Sequence, residues 1–133
     1  MQVLVDTSIW IDYFKGGHRS SDLDMLIDEN ILVTNDLILA ELIPFLKAKR
    51  QTRLIQLLNK ITRIPIEIDW EEIIEFQVKC LKGGANGIGI PDLIIAQNAK
   101  TNKLRIYSLD KHFKLLSKLV KIDLYSGSVN RLV

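Results

Sequence analysis

Short apolar, β-branched runs alternate along the chain with longer stretches in which apolar residues return every three or four positions. The short runs predict buried strands at 3–5, 31–34, 64–68, 104–107 and 120–125. The longer stretches predict helices at 37–49, 52–60, 70–81 and 93–100. Strands that alternate with helices indicate an α/β fold, with a mostly parallel sheet covered on both faces.

The chain length predicts a single domain over residues 1–133. With 133 residues, of which 47% are hydrophobic, the chain is long enough for one core and too short for two domains. The formal net charge of +2 is too small to indicate a nucleic-acid partner by itself. The distribution of charge is therefore more informative than its sum.

Cysteine and histidine are scarce. Cys80 is the one cysteine, so it forms no internal disulfide, and with only two histidines the sequence predicts no Cys/His metal set. We expect a reducing, cytoplasmic environment. The sequence also predicts neither a signal peptide nor a membrane helix, because no apolar run approaches the roughly 18 residues that span a bilayer.

Three aspartates occupy positions where parallel sheets bind ligands, beyond the carboxyl ends of strands. Asp6 follows the predicted strand 3–5, and Asp110 follows the strand at 104–107. Asp92 opens a helix directly after the glycine-rich segment 83–91. We expect the three carboxylates to reach one rim of the sheet.

Glu41 is a fourth candidate, because nearly all of its neighbours in the sequence are apolar and a charged residue among them needs a partner. Four carboxylates at one sheet edge would repel each other unless a cation lay between them. A hard divalent ion, Mg²⁺ or Mn²⁺, suits such oxygen ligands. It can lower the pKa of a bound water and stabilise charge on a phosphate, which predicts hydrolysis of a phosphodiester.

Hydroxyl groups stand beside these acids at Thr7, Ser8 and Ser108. A hydroxyl can hold a carboxylate, a water or a phosphate oxygen in place. These three residues are therefore supporting candidates for the site.

Four segments together resemble the PIN-domain nucleases: Val3-Leu4-Val5-Asp6-Thr7-Ser8, Ala40-Glu41-Leu42, Pro91-Asp92-Leu93-Ile94-Ile95-Ala96 and Tyr107-Ser108-Leu109-Asp110-Lys111-His112-Phe113. The resemblance covers about residues 2 to 126. In size the chain is similar to the toxin of VapBC-type toxin–antitoxin pairs.

The resemblance implies a three-layer α/β/α sandwich with a mostly parallel central sheet. It implies that the metal-binding acids are Asp6, Glu41, Asp92 and Asp110. It also implies an endoribonuclease acting on RNA, often tRNA or rRNA in the toxins, that forms a homodimer and is blocked by a small antitoxin.

A basic run covers the end of one predicted helix and the start of the next. Its RNA-binding candidates are Lys47, Lys49, Arg50 and Arg53. A solvated helix surface explains the run equally well. His112 is a candidate general base, although a solvent-exposed or hydrogen-bonded histidine is the commoner role at such a position.

Other functions fit the sequence less well. A receiver domain of a response regulator would have an adjacent acidic pair after the first strand, and a haloacid-dehalogenase-like phosphatase would have a second Asp two residues after Asp6. Here Asp6 is followed by Thr7 and Ser8. A PIN nuclease of RNA processing or decay, and an RNA-binding module that does not cleave, remain alternatives to the toxin.

Overall fold

The computed structural model describes residues 1–127, which form five strands and seven helices. The last six residues of the predicted domain, 128–133, lie outside the described residues. The strands are β1 (Val3–Val5), β2 (Leu32–Thr34), β3 (Thr62–Arg63), β4 (Arg105–Tyr107) and β5 (Asp123–Leu124). The helices are α1 (Thr7–Phe14), α2 (Leu23–Asp28), α3 (Asp36–Ala48), α4 (Thr52–Asn59), α5 (Trp70–Lys82), α6 (Ile90–Thr101) and α7 (Lys111–Leu119).

The strands form one parallel sheet in the order β3-β2-β1-β4-β5. β1 is central, with Val3 opposite Leu32 of β2 on one side and Arg105 of β4 on the other. All three residues of β1 are buried, as expected for a strand covered on both faces. The predicted parallel α/β sheet is confirmed.

Helices cover both faces of this sheet. The chain runs from β1 to β2 and β3 in one direction, then returns across the sheet to β4 and β5. Right-handed crossovers therefore put α1 to α4 on one face and α5 to α7 on the other. The packing agrees, because α3 contacts α1 and α4 whereas α5, α6 and α7 contact each other. The three-layer α/β/α arrangement is confirmed.

The reversal of direction creates a crevice at the carboxyl ends of β1 and β4. β1 is followed by a connection to β2 on one side, and its other neighbour, β4, is followed by a connection to β5 on the opposite side. Loops that leave two adjacent strands in opposite directions leave space between them. Residues directly after β1 and β4 therefore face a common opening.

One predicted strand, 64–68, is wrong. β3 ends at Arg63, and the last ladder bond is the one that Ile64 N donates to Thr34 O over 2.8 Å. Pro65 follows at once and has no N–H to continue the ladder. Side chains of α6 hold the rest of this segment, since Asn98 Nδ2 donates to Pro65 O over 2.9 Å and Gln97 Nε2 donates to Asp69 O over 2.9 Å.

Other element bounds also differ from the expectation. α6 begins at Ile90, three residues before the predicted start, with Pro91 in its first turn. The predicted strand at 120–125 is shorter in the structure, where β5 covers Asp123–Leu124. α1, α2 and α7 are short helices that lie outside the predicted helix ranges.

The longest helices, α3 and α5, have 13 residues each. Within residues 1–127, no helix combines the length and apolar character needed to cross a bilayer.

A buried amide pair connects the two helical layers. Asn35 Nδ2 donates to Asn98 Oδ1 over 3.0 Å, and Asn35 Oδ1 accepts from Ile38 N over 2.9 Å as the N-cap of α3. Both asparagines are buried. The pair therefore fixes the start of α3 relative to α6, and these are the helices that carry Glu41 and Asp92.

We predict that Asn98→Ala lowers the free energy of unfolding by about 2–3 kcal/mol, because it leaves the Asn35 amide and the Pro65 carbonyl without a buried partner. Denaturant titration measures the change. Gln56→Ala, an exposed amide truncation on α4, should cost less than about 0.5 kcal/mol. Equal effects of the two substitutions would contradict a structural role for the amide pair.

Candidate metal centre

The four predicted acids come from four different elements around the crevice. Asp6 directly follows β1 and caps α1, and Asp110 follows β4 and caps α7. Asp92 lies in the first turn of α6, and Glu41 lies near the middle of α3. Each of the two aspartates after strands therefore caps the helix that follows it.

Asp6 is held in place by three groups. Its carboxylate oxygen Oδ2 accepts hydrogen bonds from Ser8 Oγ over 2.9 Å and from Ser108 Oγ over 2.8 Å, and its backbone N donates to Tyr107 O over 2.9 Å. Only 7% of the residue is exposed. Within residues 1–127 the second oxygen, Oδ1, accepts no hydrogen bond, so it is the atom available to a ligand.

The two serines connect this carboxylate to the loop after β4. Ser8 Oγ accepts from Leu109 N over 2.9 Å, and Ser108 Oγ accepts from Asp110 N over 2.9 Å. Each hydroxyl therefore gives its proton to Asp6 and receives a backbone N–H. Thr7 makes no comparable contact, because its buried hydroxyl has no hydrogen-bond partner within the described part of the chain.

His112 links Asp92 to Asp110. The imidazole Nδ1 lies 3.2 Å from Asp92 Oδ2 and 3.6 Å from Asp110 Oδ1, and the backbone N of His112 donates to Asp110 Oδ1 over 2.9 Å. An ionised carboxylate only accepts hydrogen bonds, so Nδ1 carries the proton when it binds Asp92. One ligand atom from each of the three residues lies within 4.8 Å of the other two.

The sequence favours a solvent-exposed or hydrogen-bonded His112 over a general base, and the structure shows a hydrogen-bonded one. The contact that gives it a role joins α6 to α7 and is not visible in the spacing of residues along the chain. The only local indication of this role in the sequence is that His112 lies two residues after Asp110, the N-cap of α7.

Glu41 lies on the exposed side of α3 rather than among its apolar neighbours. Burial raises the pKa of its carboxyl group above the usual value, and the negative charges of Asp6 and Asp92 raise that pKa further. The negative charges of the other acids therefore act on the Glu41 carboxyl group, although much of the residue is exposed to solvent. Leu39 and Leu42, which flank this position in the sequence, provide the buried face of the helix.

The surroundings of Asp92 also disfavour the charged form of its carboxyl group. Burial is the main cause that raises the pKa of its carboxyl group, the hydrogen bond from His112 lowers it in part, and the charges of Asp110 and Asp6 raise it. Its side chain is 23% exposed. The site thus contains more negative charge than its own hydrogen bonds neutralise.

Lysine and arginine do not supply the missing positive charge. Within residues 1–127 the ion pairs of Lys and Arg side chains join Arg63 to Asp36 and Lys100 to Glu72, both outside the site. Carboxylate oxygens, with one imidazole nearby, suit a hard divalent cation. The residues present therefore fit a Mg²⁺ or Mn²⁺ centre.

The basic run lies further along α3. Lys47, Lys49, Arg50 and Arg53 are exposed around the end of α3 and the start of α4. Ala48, the last residue of α3, is seven residues beyond Glu41, roughly 10 Å along the helix axis. Lys49 lies over the Phe45 ring, 5.4 Å from its centroid. The structure thus places this run around the end of α3 and not among the four acids.

Comparison with known proteins gives a family and a fold. The family model of the PIN domain matches residues 3–119. No curated protein matches the sequence. The similarity of this chain to solved structures is at low sequence identity and concerns the fold alone.

Three solved structures contain chains of similar fold. The first is VapBC2 from Rickettsia felis, bound to a DNA fragment from its promoter. It matches with a TM-score of 0.74 at 20% identity, and the match covers 94% of this chain and 98% of that chain. FitAcB from Neisseria gonorrhoeae matches with a TM-score of 0.68 at 18% identity, covering 94% and 97%. A toxin–antitoxin complex from Klebsiella pneumoniae matches with a TM-score of 0.61 at 20% identity, covering 83% and 88%.

We predict that His112→Ala weakens Mn²⁺ binding about 10- to 100-fold, because Asp92 and Asp110 lose the group that holds them together. Titration calorimetry measures the affinity. His112→Asn, which keeps an N–H donor near the position of Nδ1, should retain most of the affinity. His18→Ala is the matched control, and an unchanged affinity in His112→Ala would contradict the positioning role.

We also predict that Glu41→Gln raises the melting temperature of the metal-free protein at about pH 7 and has little effect near pH 4. A raised pKa in the folded state means that this state binds more protons, so stability falls as pH rises through the window above the ordinary pKa. The gain should be below about 1 kcal/mol for this exposed group.

Thermal unfolding in EDTA at the two pH values tests the Glu41 prediction. Glu75→Gln, an exposed change on α5, is the control. Added Mg²⁺ should stabilise the unsubstituted protein more than Glu41→Gln. A loss of stability in Glu41→Gln at neutral pH would show that the Glu41 charge is not under repulsion.

Proposed function

The chain belongs to the PIN-domain family, and from this premise we propose that it is a divalent-metal-dependent endoribonuclease whose site consists of Asp6, Glu41, Asp92 and Asp110. The observation that carries the proposal is the convergence of these carboxylates at the carboxyl ends of β1 and β4 without a lysine or arginine partner in the described residues. Repulsion between them favours a bound cation.

The serine contacts support hydrolysis by water rather than by a protein nucleophile. The hydroxyls of Ser8 and Ser108 both donate to Asp6 and accept backbone N–H groups. Both hydroxyls are thus used to hold Asp6 against the loop after β4. Water therefore adds to phosphorus as the bond to the leaving oxygen breaks, and the leaving oxygen gains a proton.

The four acids would hold Mg²⁺ or Mn²⁺, and Asp6 would offer the oxygen that its serines leave open. When bound, such an ion activates water and stabilises the negative charge that builds on the phosphate. The residues of this chain set the position: Ser8 and Ser108 fix Asp6, and His112 fixes Asp92 relative to Asp110. Preorganised ligands lower the cost of binding the ion and the substrate.

Within this activity we propose the role of toxin in a VapBC-type pair, with a cognate antitoxin as partner and RNA, such as tRNA or rRNA, as substrate. Support comes from the fold shared with chains of VapBC2 and of the Klebsiella pneumoniae toxin–antitoxin complex. The chain covers 98% and 88% of those chains, so its size is also similar. The buried free thiol of Cys80 is compatible with the cytoplasm.

A homodimer is part of the same proposal. α5 bears four exposed apolar side chains along one side, which are Trp70, Ile74, Val78 and Leu81. Their spacing of four, four and three residues makes a continuous stripe on a helix. Exposed apolar stripes of this kind mark contact surfaces.

The proposal predicts that the purified protein cleaves RNA in Mg²⁺ or Mn²⁺ and that EDTA stops the cleavage. Asp6→Asn should lower the rate at least about 100-fold, because it removes a charge that holds the cation. Asp28→Asn, an exposed acid on α2, should leave the rate unchanged.

Gel analysis of total RNA with the three proteins, prepared identically, gives the answer. Equal cleavage by the unsubstituted protein and by Asp6→Asn would point to a contaminating nuclease. RNA binding without cleavage by any of them would favour the non-cleaving module over the nuclease.

A further inference from the structure

A large cavity opens beside the carboxylate centre. Its volume is about 780 Å³, and Ser108, Leu109 and Asp110 form one wall. It extends from there to the segment between α1 and α2 and to the end of β5. This volume is within the range of about 300–1,000 Å³ that small-ligand sites occupy. Because Asp110 belongs to both the centre and the cavity, a molecule bound at one reaches the other.

Three cations line this cavity, together with two acids, Asp22 and Asp110. Arg19, Lys111 and Lys114 line it and are exposed. Within residues 1–127 none of these three cations forms an ion pair. Lys111 and Lys114 are three residues apart on α7, so they lie on one side of that helix. An anionic group at the cavity therefore has cations that the fold does not use elsewhere.

The inner wall is apolar and partly aromatic. It includes Tyr107, Phe113 and Tyr125, with the two tyrosine rings 4.9 Å apart at 60°. A planar base can pack on such a wall while its phosphate stays near the cations. A duplex cannot place a base there, since its bases are stacked inside the helix.

The segment that carries Arg19 is fixed rather than loosely attached. The Tyr107 hydroxyl donates to Arg19 O over 2.9 Å, and Asp12 Oδ2 accepts from Ser20 N over 2.9 Å. A Cβ at Gly17 would clash with the Asp12 carboxylate, so the carboxylate would have to move away from its contact with Ser20 N. The position of Arg19 beside the cavity is thus set by contacts with β4 and α1.

We propose that this cavity is a nucleotide subsite, which takes the base and phosphate of the single-stranded RNA nucleotide next to the phosphodiester that is cut. Arg19, Lys111 and Lys114 bind the phosphate, and the aromatic wall contacts the base. The inference rests on the proposed nuclease function. It assigns substrate contacts to a surface other than the basic run at the end of α3.

The test measures binding without cleavage. A fluorescent single-stranded RNA of about six nucleotides is titrated with the full chain in EDTA at several salt concentrations, and anisotropy gives the dissociation constant. The double variant Lys111→Glu/Lys114→Glu should bind at least about tenfold more weakly, with a smaller salt dependence. The matched control is Lys121→Glu, an exposed lysine that precedes β5 and so lies at the amino end of that strand, whereas the cavity lies at its carboxyl end.

Weakening no greater than that of Lys121→Glu would overturn the subsite. Equal weakening for a duplex of the same sequence would also overturn it, because the lysines would then contact a backbone outside the cavity. Adenosine 5′-monophosphate should shift the ring resonances of Tyr107 and Tyr125, and an absence of shifts would count against base binding.

These outcomes are separate from those of the nuclease test. If no RNA is cleaved in metal but the double variant loses affinity in EDTA, the nuclease function fails and the subsite stands. If RNA is cleaved and the double variant binds like the control, the subsite fails and the function stands.

Discussion

Mutual repulsion between carboxylates is the constraint on which the site depends. Asp6, Glu41, Asp92 and Asp110 are brought together by β1, α3, α6 and the end of β4, and the pKa values of Glu41 and Asp92 are raised by burial and by neighbouring charge. The fold stabilises this arrangement through contacts that do not involve pairs of carboxylates. The buried Asn35–Asn98 pair joins α3 to α6, and the two serines join Asp6 to the loop after β4. The negative charge that these contacts do not balance favours a bound cation.

Two of the proposed cation ligands are also helix caps. Asp6 Oδ2 accepts from Ser8 N over 3.5 Å at the start of α1, and Asp110 Oδ1 accepts from His112 N over 2.9 Å at the start of α7. Each aspartate has two oxygens, so one oxygen can satisfy the helix terminus while the other faces the crevice. This sharing explains why an aspartate after a strand, by itself, does not distinguish a cap from a ligand.

The sequence was sufficient for the parallel sheet, because short apolar runs alternate with helical stretches, and it marked two acids beyond strand ends. Asp6 follows β1 directly, and Asp110 follows β4 after two residues. The predicted strand 64–68 is wrong because Pro65 has no N–H to continue the ladder and side chains of α6 bind this segment instead. The contact of His112 with Asp92, the position of Arg19 and the cavity could not be predicted, since each depends on elements distant in sequence. Tyr107 and Arg19, for example, are joined by a hydrogen bond across 88 positions.

Anomalous diffraction from crystals soaked in Mn²⁺ tests most directly whether the four acids hold a divalent cation. We expect a manganese peak bounded by the carboxylates of Asp6, Asp92 and Asp110, with Glu41 beside it. A crystal that binds Mn²⁺ at other carboxylates and leaves this crevice without a peak would contradict it.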